Sequence, residues 1–212
     1  MNCSKPMIFN TKMVRAILEG RKTVTRRVVK FKAGQSPAWS GYIPDGAVLY
    51  GSNNIPAAKA PYRPGDILWV RETWNCLPIP EPLRGTNKTY WYKADGAGPE
   101  DKWRPSIHMP REAARIFLRV TGVRVERLQE ITESGAKAEG AVKSYPYTDP
   151  ETGETAFMLD EKGTYLSGFS QIWDSTIKPK DLAAYGWDAN PWVWVISFER
   201  IDKPADWGCT RS

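Results

Sequence analysis

The segment from Arg21 to Lys32 holds six basic residues in twelve (Arg21, Lys22, Arg26, Arg27, Lys30 and Lys32) and no acidic one. Two hydroxyls, Thr23 and Thr25, sit inside it. Cations this dense repel one another unless an anion stands near, and phosphate on a nucleic acid or a nucleotide is the anion such a run suits. Other chemistry-bearing residues are sparse. His108 is the single histidine, which excludes a zinc site built on several histidines. It reads as a structural or surface residue, or as a lone general base. Cys3, Cys76 and Cys209 are far apart and form no CxxC pair, so neither a disulfide framework nor a structural zinc is expected. No metal and no cofactor follows from these residue types. Ten tryptophans supply buried area, with an exposed minority available to stack on bases. Trp69, Trp91, Trp192 and Trp194 read first as core. Trp69 and the nearby Arg71 are also candidate binding residues, together with Arg21, Arg26 and Arg27.

The elements that must position the basic run are legible around it. Met7 to Phe9 is a short apolar run that suits a strand. Asn10-Thr11 then caps a helix with Met13, Ala16 and Ile17 on one stripe, widened by Val14 and Leu18, and Gly20 stops it. Thr23 to Val29 is rich in β-branched residues and predicts a strand. Alternation puts Thr23, Thr25 and Arg27 on one face and Lys22, Val24 and Arg26 on the other. The pattern is lost over about residues 31–62, read as an insertion with one hairpin near Ala47 to Tyr50. Arg63-Pro64-Gly65-Asp66 is a turn feeding a strand from Ile67 to Glu72. Thr89 to Lys93 is another strand. Ile116 to Leu128 alternates, with Gly122 suggesting a bulge. Thr132 to Glu139 predicts a short helix stopped by Gly140. Residues 143 to 163 read as a second insertion. Tyr165, Phe169, Ile172 and Trp173 form a helical stripe, Trp192 to Phe198 is the last strand, and residues 203 to 212 read as a loose tail. The sum is an α+β fold, a small mixed β-barrel with flanking helices, in one domain over residues 1–202.

Size and charge bound the function class. The chain has 212 residues and a net charge of +6, with a pI of about 9.2, which favours polyanionic partners. No stretch approaches the roughly 18 apolar residues of a membrane span. Asn10, Thr11 and Lys12 interrupt any signal-peptide core, so a cytoplasmic protein without a membrane partner is expected.

Five pieces together carry a resemblance. They are Ile17 to Arg27 (ILEGRKTVTRR), Arg63 to Val70 (RPGDILWV), Ile116 to Arg127, Leu128 to Gly140, and Trp194 to Phe198. In this order they resemble the ASCH family, whose fold is the PUA-like β-barrel; both insertions fall outside the match. Size and tryptophan content look like the phage and prophage members. The resemblance implies a cleft for RNA or a nucleotide between the barrel and the first helix. One bacterial branch of the family is an amidohydrolase that removes the acetyl group of 4-acetylcytidine with a lysine, a threonine and a glutamate. The resemblance places these at Lys22, Thr25 and Glu139, and a further site arginine at Arg27. Arg26 stands where those enzymes carry an apolar residue.

A threonine hydroxyl needs a base beside it, and a neutral lysine can serve. Bringing a lysine from about 10.4 to about 7 costs roughly 4–5 kcal/mol. Arg21, Arg26 and Arg27 push in that direction, whereas Glu139 would act oppositely if it paired with Lys22 directly. Glu139 fits better as a proton carrier or as the group that orients a substrate amine. Arg27, on the face of Thr25, suits a developing oxyanion. Strict alternation sets Lys22 opposite Thr25, so the two meet only if the chain bends after Gly20 and Lys22 precedes the strand. The leading expectation is an RNA- or modified-nucleotide-binding protein, with a deacylating amidohydrolase as the alternative. A nuclease ranks last for want of an acidic metal cluster. A phage protein gripping a host partner is a further reading.

Overall fold

A computed structural model describes residues 4–31, 41–43, 48–50, 56–77, 89–96, 102–150, 155–205 and 207. Lys32, Cys3 and Cys209 lie outside them. In chain order the elements are β1 (Lys5–Ile8), α1 (Thr11–Leu18), β2 (Val24–Val28), β3 (Gly41–Ile43), β4 (Val48–Tyr50), β5 (Pro56–Lys59), β6 (Ile67–Arg71), β7 (Trp74–Leu77) and β8 (Thr89–Tyr92). There follow β9 (Phe117–Arg127), α2 (Glu133–Ala138), β10 (Ser144–Thr148), β11 (Thr155–Leu159), α3 (Tyr165–Thr176), α4 (Leu182–Tyr185) and β12 (Trp192–Ile201). This is a mixed α/β fold. Its main sheet has five strands in the open order β1-β6-β9-β12-β2. The chain divides into two compact units, one of residues 1–20, 65–119 and 199–212, the other of residues 21–64 and 120–198. Among the described residues no helix is long and apolar enough to cross a membrane.

In the first unit β1 runs parallel to β6, and β6 is antiparallel to the start of β9. Asn10 caps α1 by accepting from Met13 N at 2.9 Å, and Val14, Ala16 and Ile17 are its buried face. Gly20, at φ 74°, ends the turn in the left-handed region that glycine enters without strain. Hairpin β7–β8 packs Trp74 with Trp69, Met109, Ala113, Ala114 and Phe117. The expected loose tail is tied down at Trp207. Its ring meets Phe117 edge-on at 4.7 Å and Trp69 at 6.0 Å, with the Arg111 guanidinium 4.2 Å from its centroid.

In the second unit β2 pairs antiparallel with β12, and β3, β4 and β5 make a three-stranded sheet where the sequence suggested one hairpin. Thr132 caps α2, and Gly140 at φ 84° follows it. The second insertion is hairpin β10–β11. Thr164 caps α3, and the Glu133 carboxylate accepts from Tyr165 N at 2.8 Å, a negative charge at the positive end of a helix. Phe169 and Trp173 bury their stripe against Leu128, Ile131, Ala136, Val193 and Val195. The gap between α3 and the chain leading into β10 is set by Gly168, where an added Cβ would lie 1.9 Å from the Val142 carbonyl oxygen. Gly to Ala inside a helix ordinarily stabilises by about 1 kcal/mol. Here backbone blocks the methyl, so Gly168→Ala is expected to destabilise by about 1–3 kcal/mol in urea unfolding; a gain in stability would show that α3 shifts freely.

Candidate functional site

The basic run is divided by its own fold. β2 begins at Val24, so Lys22 precedes the strand, after the turn at Gly20, and bridges Glu139 at the end of α2. The hydrogen bonds Phe198 N–Thr23 O and Val29 N–Trp192 O show that the odd-numbered residues of this stretch face β12. Val24, Arg26 and Val28 therefore turn their backbone groups to the outer edge of the sheet, where β2 is the last strand. Lys22 fills that edge. Its Nζ donates to Val24 O at 2.8 Å, to Glu139 O at 2.9 Å and to Glu139 Oε2 at 2.5 Å. Arg27 Nη1 reaches Arg26 O at 3.4 Å.

An ammonium has three protons and no lone pair, and the three acceptors around Nζ match that donor set. Burial is the largest influence on Lys22 and lowers its pKa from the usual lysine value; Glu139 opposes the fall, and Arg27 and Arg26 add to it. The direct pairing with Glu139 is thus the arrangement that works against a neutral lysine.

Arg26 closes the other side of Glu139. Its Nη1 donates to Glu139 Oε1 at 3.1 Å, and Nε and Nη2 both donate to Glu126 Oε1, at 3.0 and 2.6 Å. The guanidinium also lies 5.8 Å from the Phe169 ring centroid and packs beside Gly135. Arg26, expected among the binding residues, is 3% exposed, with its guanidinium engaged by Glu139 and Glu126. Arg26 serves as a buried second cation for Glu139. Thr25 is buried opposite Ile196 of β12, and alternation turns it to the face away from Arg26. Lys22 reaches the peptide that precedes it, at Val24 O. Arg27 is half-buried; burial lowers its pKa, with Glu139 and Tyr62 acting against the fall.

Trp69 and Arg71 belong to the first unit. Trp69 is 5% exposed and has Arg71 stacked 4.8 Å from its centroid, so it offers no face to a base. Arg71 donates to Ile107 O at 3.1 Å.

Next to the buried pair in sequence, a cavity of about 420 Å³ opens in the second unit, lined by Arg21, Lys137, Lys143, Tyr165, Val142 and Leu159 with Asp160 and Glu161. Arg21 adjoins Lys22 and donates to Gly140 O at 3.1 Å; Lys137 stands two residues before Glu139. Lys137 and Lys143 place their Nζ atoms 5.7 and 5.9 Å from the Tyr165 ring centroid. Val142 and Leu159 are 44% and 71% exposed, an apolar rim beside the cations. Sequence reading missed Lys137, Lys143 and Tyr165; the available signal was that two lysines flank the Glu139-Gly140 stop. No protein-family model, no curated protein and no solved structure matches the chain.

Removing one partner of a buried pair strands the other charge, at a cost of about 3–5 kcal/mol. Glu139→Gln is expected to lose that much in urea unfolding, and adding Lys22→Met is expected to restore part of it. Strictly additive losses would show that the two side chains do not depend on each other.

Proposed function

We propose that the chain is a nucleotide- or RNA-binding protein of the ASCH kind, acting in the cytoplasm, with its five-stranded sheet part of a PUA-like barrel. One observation carries the reading: Lys137 and Lys143, the latter paired with Glu161 at 3.3 Å, stand by the Tyr165 ring at a cavity that Arg21 also lines and that has an exposed apolar rim. Cations alone would suit any anion. Cations beside an aromatic ring and apolar side chains suit a ligand that carries both a phosphate and a flat ring. The buried members of the run, Lys22 and Arg26, are engaged by Glu139 and Glu126 and act as the support behind that rim.

Deacylation of a 4-acetylcytidine-type nucleoside is the second reading. Water would divide the acetyl amide into acetate and the free amine. Its support is that Lys22 touches both Glu139 and the peptide leading into Thr25. Against it stand the three acceptors on Lys22 and the two cations on Glu139, which leave neither group poised for proton transfer.

Fluorescence anisotropy with a labelled single-stranded RNA tests the choice. Binding is expected to weaken as salt rises, and Arg21→Ala or Lys137→Ala to reduce the log–log salt slope by about 1 each. Absence of binding, together with acetate release from 4-acetylcytidine that Lys22→Ala abolishes, would reverse the preference.

A further inference from the structure

The first unit holds a cavity of different chemistry, about 400 Å³, formed chiefly by Trp74, Tyr90, Arg104, His108, Pro110 and Glu112. That size is within the range of small-molecule sites. The register of β7 and β8 sets Trp74 opposite Tyr92 and Cys76 opposite Tyr90, so alternation gathers all four on one face of the hairpin. Arg104 exchanges two backbone hydrogen bonds with Trp74, at 2.8 and 3.3 Å, which carries its guanidinium over the indole at 5.1 Å from the centroid. Two short 3-10 turns, Ser106–His108 and Arg111–Ala113, bring His108 and Glu112 to the rim.

The aromatic walls are splayed. Trp74 and Tyr90 lie 5.9 Å apart with their planes at 51°, a wedge and not a closed stack. Tyr90 is held in place by donating its hydroxyl to Glu112 Oε1 at 2.6 Å, and burial followed by that carboxylate raises its pKa, so it stays a phenol. The indole N–H of Trp74 is buried and has no acceptor among the described residues.

We infer that this wedge binds an amino-substituted heteroaromatic ring, such as the base of adenosine or cytidine. The flat guanidinium of the exposed Arg104 and the half-buried Tyr90 ring supply stacking faces, with the buried Trp74 as the floor behind them. Glu112 at the rim accepts from an exocyclic amine, and it repels a phosphate or a ring carbonyl placed there. The site and its chemistry are separate from the cation-lined cavity of the second unit, and the inference does not rest on the function proposed there.

Isothermal titration of the full chain with adenosine, cytidine and uridine tests it. Adenosine and cytidine are expected to bind saturably, and uridine, with a carbonyl where cytidine has its amine, about tenfold more weakly. Arg104→Ala removes an exposed side chain and is expected to weaken adenosine about five- to tenfold, while Lys12→Ala, at an exposed position of α1 outside both cavities, leaves it unchanged. Running oligoadenylate beside adenosine separates the sources: tighter binding of the oligonucleotide identifies a base within RNA, and equal or tighter binding of adenosine a free nucleoside. No saturable binding of any nucleoside, equal affinity for uridine, or loss on Lys137→Ala with none on Arg104→Ala would overturn the inference.

Discussion

A lysine ammonium sunk against an edge strand and closed over by Glu139 is the contact on which the second unit depends. The Lys22 side chain is 0% exposed and that of Glu139 4%. Taking two such charges out of water costs several kcal/mol per ion, and their attraction compensates only where every proton finds an acceptor. Here each does. One proton of Lys22 goes to the outward Val24 carbonyl, a group that an edge strand would otherwise leave open to another chain. The other two tie the end of α2 to the start of β2. Arg26 takes the second carboxylate oxygen of Glu139 and anchors it to β9 through Glu126.

This network decides what the neighbouring surface can do. With Lys22 and Arg26 engaged internally, the cations that line the neighbouring cavity are Arg21 before the strand and Lys137 and Lys143 around the end of α2, and Lys143 is paired with Glu161 at 3.3 Å. Of the positive strip read in the sequence, Lys22 and Arg26 are buried against carboxylates while Arg21 lines the cavity.

What could be read without coordinates was local. The caps at Asn10 and Thr132, the stops at Gly20 and Gly140, the stripe of α1 and the cores of β2, β6 and β12 each depend on residues a few positions apart, and each stands close to where the pattern set it. The bend that frees Lys22 from strand alternation was legible as a requirement, and Gly20 meets it. Long-range pairing was not legible. Arg26 meets Glu126 across 100 positions, and nothing in spacing singles out that carboxylate among 24 acidic residues. The closeness of Lys22 and Glu139, 117 positions apart, was suggested only by resemblance, while their direct pairing is a property of the folded chain. Trp207 was lost in a polar tail because a single aromatic has no periodicity to read.

The protonation of Lys22 is the most direct measurement of the central interaction. Nitrogen-15 NMR of the lysine Nζ groups near neutral pH, with Lys22 assigned by its loss in Lys22→Arg, is expected to show an NH₃⁺ group whose protons exchange slowly with water. A neutral amine at that position, or ammonium protons exchanging as fast as those of surface lysines, would contradict it.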